Sequence, residues 1–267
     1  MSQSYSPPLD RLLKLGAEPA KRQIWPDYRH LGLVDRHVPE LVRMASDPEL
    51  HERESWDRAA WAPVHAWRAL AQLDAQTAAR PLLEVLERYV GHAWVFDELP
   101  QALGMIGPAA LPGATLMLFD EDRPEPVRIA GGRVITDVAR EHPDRRDEAV
   151  AVISKQLEDW PHQTPLLNGL LIAYLGELEA AEAAPLMEAA FAAGAVDLFI
   201  NGDWEDVRVT LGLLQRRLTP PTEWSPLEYG EDEAPPPGRV PHAGSQAEKL
   251  RGRRKAQKQA RKRNRKK

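Results

Sequence analysis

Cysteine is absent from the 267 residues, which excludes disulfides, thiol catalysis and cysteine-ligated zinc. The glycine loops that cradle phosphates are missing too, since neither GxxxxGK nor GxGxxG occurs. GxSxG and HExxH do not occur, and serine is scarce, which argues against a serine hydrolase or a zincin. Phenylalanine is limited to four residues, whereas tryptophan reaches eight. No apolar run approaches the roughly 18–20 residues of a membrane span, so membrane insertion is not expected. The opening stretch, MSQSYSPPLDRLLKLGAEPAKRQ, lacks the charged-then-apolar pattern of a signal peptide. A soluble cytoplasmic protein is the expectation.

Charge is plentiful but unevenly placed. The net value is −5, yet 12 of the 35 Lys and Arg residues lie in 249–267, where no acid occurs. Residues 1–248 therefore hold 23 basic against 40 acidic groups, a net of −17. The basic cluster comprises Lys249, Arg251, Arg253, Arg254, Lys255, Lys258, Arg261, Lys262, Arg263, Arg265, Lys266 and Lys267. Its like charges repel, so it is expected to be disordered until something neutralises it. Residues 217–248 are rich in proline and acid, a composition that resists packing and marks a linker.

Between about 28 and 216 the periodicity is helical. Val38, Leu41, Val42 and Ala45 fall at i, i+3, i+4 and i+7, as do Leu82, Val85, Leu86 and Tyr89. Segments 63–73 and 166–178 are apolar almost all round, which predicts an inner layer of buried helices behind an amphipathic outer layer. Self-similar stretches start at Leu70, at Leu103 and again at Leu175. In each, a small-residue turn is followed by a proline (Pro81, Pro112, Pro185) placed for a helix's first turn, where its missing N–H costs nothing.

The pattern LGxLxAxxAxPL resembles the HEAT-type repeat in its short, phycobilisome-lyase-like form, and the stretch from WPDYRHLGLVDRHVPELVRMASD to GDWEDV is similar to an uncharacterised bacterial family of such repeats. The resemblance covers roughly residues 25–216 and implies an all-α, right-handed α-solenoid of about five HEAT-like helix pairs, to which the charge run adds a disordered basic C-terminal tail. It implies no lyase chemistry. The expected organisation is an N-terminal cap segment (1–27), a repeat domain (28–216), the linker (217–248) and the basic tail (249–267). Helix pairs are placed at about 28–74, 76–107, 108–141, 144–178 and 180–216, with a short helix near 8–16.

No constellation reads as catalytic, and neither an enzyme nor a bound cofactor or metal is expected. HERE (51–54) reads as a solvated turn, and DEDRPE (120–125) as an inter-repeat turn lacking the glycine and distal glutamate of a calcium loop. A partner on the inner, concave face would meet the polar stripe of His65, Arg68 and Gln72 beside Trp67, and that of Arg133, Asp137 and Arg140. In NGDWEDV (201–207), Asp203 and Asp206 fit a helix N-cap and its third position, while Trp204, Glu205 and Asp206 also form an acidic-aromatic patch; both readings stand. Val207, Val209, Leu211 and Leu213 alternate as a strand does, but the spacing of Val207, Leu211 and Leu214 favours a helix. The clustered tryptophans Trp56, Trp61, Trp67 and Trp94 fit either core packing or a binding groove. On this view Leu70→Asp is far more damaging than Arg68→Ala. The expected function is binding: a scaffold for a protein partner whose tail holds nucleic acid, RNA or the ribosome, without sequence preference, or alternatively an adaptor whose tail meets acidic proteins or its own body; an enzyme with a site in the concave groove is the third reading.

Overall fold

The computed structural model describes residues 5–17 and 25–220. The linker beyond 220 and the whole basic segment, with every tail residue named above, lie outside the described residues. The chain divides at Ser225–Pro226 into two units, and all described residues belong to the first.

Every regular element among the described residues is helical. The α-helices are α1 (Leu12–Leu15), α2 (Val38–Ala45), α3 (Pro48–His51), α4 (Ala62–Gln72), α5 (Ala79–Arg88), α6 (Ala93–Ile106), α7 (Leu111–Phe119), α8 (Glu125–Glu141), α9 (Arg146–Leu157), α10 (Pro165–Glu177), α11 (Ala184–Ala192), α12 (Leu198–Asn201) and α13 (Trp204–Thr210). Their contacts fall into two rows. In one, α4 packs on α6, α6 on α8, α8 on α10 and α10 on α12. In the other, α2 packs on α5, then α7, α9, α11 and α13 follow in order. Pairs α2–α4, α5–α6, α7–α8 and α9–α10 join the rows.

Each helix from α2 to α11 of the second row is entered through a three-residue 3-10 turn, such as Gln76–Ala78, Pro108–Ala110 or Ala181–Ala183. Pro81, Pro112 and Pro185 occupy first turns, as expected. The turns after Leu70 and Leu175 match bond for bond. Asp74 and Glu179 both take left-handed φ, 53° and 54°. Ala75 N–H bonds to Leu70 O, and Ala180 N–H to Leu175 O. At the same register Gly107 is left-handed too, but Pro108 has no N–H to close the second bond, so that turn opens differently.

The core draws on both rows, most densely on α4. Ala62 through Ala71 of α4 are all buried, and Leu70 has no exposed surface. Close helix approach depends on two glycines. A Cβ on Gly104 would stand 2.8 Å from the Asp137 carbonyl carbon, and one on Gly131 2.7 Å from Ala114 O. No single described helix is long and apolar enough to cross a membrane; α6 and Pro108–Phe119 pass that test only as a pair bent by 117°.

Two sequence expectations need correction, and one holds. The stretch expected as one pair over 28–74 contains α2, α3 and α4, preceded by a non-helical run over residues 25–34. The final helix stops at Thr210 rather than near 216, because Gly212 turns left-handed (φ 71°) and Leu213 N–H closes back on Arg208 O. Residues 207–210 are helical, as expected over the strand-like alternation.

Candidate functional site

The polar side chains of the first row form two clusters. On α4, the stripe expected to meet a partner is covered: His65 and Arg68 have no exposed surface, and Trp67 is 1% exposed. His65 Nε2 meets Gly16 O at 2.8 Å and its Nδ1 meets the Tyr28 hydroxyl at 2.7 Å. A carbonyl only accepts, so Nε2 carries the proton and Tyr28 donates to Nδ1. Burial holds the His65 pKa down to about 4, and the Arg68 charge adds to the depression against the Gly16 carbonyl. Arg68 pairs with Glu98 of α6 through Nε at 2.7 Å and Nη2 at 2.6 Å, while Trp67 Nε1–H donates to the same carboxylate at 3.0 Å. The Arg68 guanidinium also lies 5.0 Å from the Trp25 ring centre. Burial works against its charge, but Glu98 and Tyr28 outweigh it and raise its pKa. These three residues therefore face residues of the same chain, not an open concave wall.

The second cluster remains at the surface. Arg133 donates to both oxygens of Asp137, at 3.0 and 2.9 Å, and reaches Glu177 of α10 at 2.8 Å. Arg140 bonds the other Glu177 oxygen at 3.3 Å. The Arg140 side chain is 52% exposed and that of Glu177 31%, against 7% for Asp137. Burial opposes the Arg133 charge, yet Asp137 and Glu177 raise its pKa. Sequence inspection paired Arg133 with Asp137 and Arg140 on one helix face but missed Glu177, which comes from the next helix of the row.

At residues 203–206 the helix-cap arrangement is present. The Asp203 carboxylate accepts from Glu205 N and Asp206 N, and Asp206 returns a bond from Asp203 N at 3.1 Å. Arg217 closes on Asp203 at 2.8 and 2.6 Å and on Asp206 at 2.5 Å. Glu205 takes Thr219 N–H and its hydroxyl, at 3.0 and 2.8 Å, which lower its pKa. Trp204 donates to Glu188 at 3.0 Å and packs near Phe191. The patch is thus engaged by residues 188–219 of its own chain.

The tryptophans split. Trp67 is core, Trp61 meets Trp94 edge to face at 4.5 Å, and Trp56 is 83% exposed. His51 is no solvated turn residue: it stacks on Tyr89 at 4.0 Å and its Nε2 meets Ala45 O. In the 120–125 turn, Asp120 and Glu87 hold Arg123. Among the described residues, no group of three or more His, Asp or Glu is placed to hold a metal ion. Comparison with protein-family models, curated proteins and solved structures gives no match.

Proposed function

We propose that this chain is a non-enzymatic binding module, a right-handed solenoid of about five HEAT-like pairs whose first row meets a protein partner and whose basic segment 249–267 holds nucleic acid, RNA foremost, in a cytoplasmic setting. The reading rests on one observation above others: 12 positive charges without an acid stand on a chain whose other residues sum to −17. Clustered Lys and Arg bind phosphates by releasing counterions, whatever the sequence. No aromatic residue is interleaved among them, so base stacking adds nothing. The two rows of neighbour contacts support a stacked architecture, since repeat arrays bury each unit against the next. The Arg140–Glu177 edge is a charged part of the row that is open to a protein.

Affinity capture from lysate, run with and without nuclease, tests the proposal. Nucleic acid retained with the untreated protein, and lost on nuclease treatment, supports it. A partner set unchanged by nuclease favours the adaptor reading instead.

A further inference from the structure

Residues 25–33 lie on α4 in the manner of a bound peptide. Gln72 clamps their main chain, its Nε2 donating to Pro26 O and its Oε1 accepting from Tyr28 N, both at 3.0 Å. Main-chain bonds of this kind hold any extended segment, and side-chain pockets then select which one. Two aromatic residues flank the clamp. Tyr28 is fully buried with its hydroxyl on His65, and Trp25, 8% exposed, lies against the Arg68 guanidinium. Asp27 between them is exposed and accepts from Arg29 N and His30 N, turning the chain away after Tyr28. Three side chains at i, i+3 and i+7 of one helix thus hold Trp25, the Pro26 carbonyl and Tyr28, while Asp27 faces away from them. Glu98 fixes Arg68 from the next helix, so the reading surface is held in place by residues outside the segment it reads.

We infer that this face of α4 is a peptide-recognition surface, occupied in cis by Trp25–Tyr28, whose partner in trans is an extended protein segment with two aromatic residues at the same i, i+3 spacing. The inference rests on the binding-module proposal and gives its protein ligand a chemical class. The cis segment competes at an effective concentration on the order of millimolar, so affinity in trans scales with the fraction of chains in which it has lifted.

The test uses the full chain and a fluorescent peptide spanning 23–34. Trp25→Ala weakens the cis occupant and should bind the peptide at least tenfold tighter than the unaltered chain. Adding Gln72→Ala should remove that gain, and a peptide with both aromatics replaced by alanine should bind neither protein. A folded Trp25→Ala chain that ignores the peptide overturns the inference. Should that variant fail to fold, hydrogen exchange on the unaltered chain decides. The Tyr28 amide should exchange faster than amides of α8 and α10, and faster still with excess unlabelled peptide. Equal protection, unmoved by peptide, contradicts the inference. None of these changes touches 249–267, so nucleic-acid binding stands or falls separately.

Discussion

Glu98 of α6 receives Arg68 of α4 through both carboxylate oxygens, at 2.7 and 2.6 Å, with the two side chains 2% and 0% exposed. The pair joins consecutive helices of the first row, as Arg133 and Arg140 with Glu177 join α8 to α10. A buried pair is only modest evidence of net stability, but removing one partner strands the other charge.

Arg68→Ala should therefore cost about 3–5 kcal/mol, placing it beside Leu70→Asp rather than far below it. Replacing both partners, as Arg68→Met with Glu98→Leu, should cost much less than Arg68→Ala. Urea denaturation of the four proteins measures this. An Arg68→Ala chain within about 1 kcal/mol of the parent would contradict the buried pairing.

Stability should fall on acidification, partly through His65. Its folded pKa of about 4 lies below the value near 6.5 expected when unfolded. The unfolded chain then binds the extra proton between those values, so stability drops as pH falls through that window and is unaffected above it. The full contribution is on the order of 3 kcal/mol. Melting curves between pH 7 and 4 should decline less steeply for His65→Gln than for the parent. Parallel declines would show that His65 is not the buried neutral group described.

Gly104→Ala and Gly131→Ala should each destabilise by about 1–3 kcal/mol through overpacking, despite the better helix propensity of alanine. Gly91, where an added Cβ meets nothing within 4 Å, serves as the control and should change stability by less than about 0.5 kcal/mol. Equal effects at all three sites would mean that the helices do not approach as closely as described.

How far the sequence reveals this structure depends on where each residue's partners sit. Pro81, Pro112 and Pro185 act locally, within a turn or two, so their positions were readable directly. Leu70 was readable because apolar spacing along one helix decides its direction. His65, Arg68 and Gln72 were misjudged because a polar side chain looks the same in sequence whether water or another side chain satisfies it. Their partners come from residues 16–28 and 98, a long way along the chain. One signal was available: Glu98 sits in the stripe of Val95, Leu99, Ala102 and Ile106, all buried, and an acid on a buried stripe calls for a cation. The cap at Asp203 was legible, being local, but its closure by Arg217 was not.

The binding proposal meets its most direct test in a titration. Labelled single-stranded RNA is titrated with the intact chain and with a chain ending at residue 248, across a series of salt concentrations. The intact chain should bind with little sequence preference, and log affinity should fall linearly with log salt by about 0.7 per phosphate neutralised. The shortened chain, with its net −17, should lose nearly all affinity. Unchanged binding after truncation, or no binding by the intact chain at low salt, would contradict the proposal that residues 249–267 hold nucleic acid.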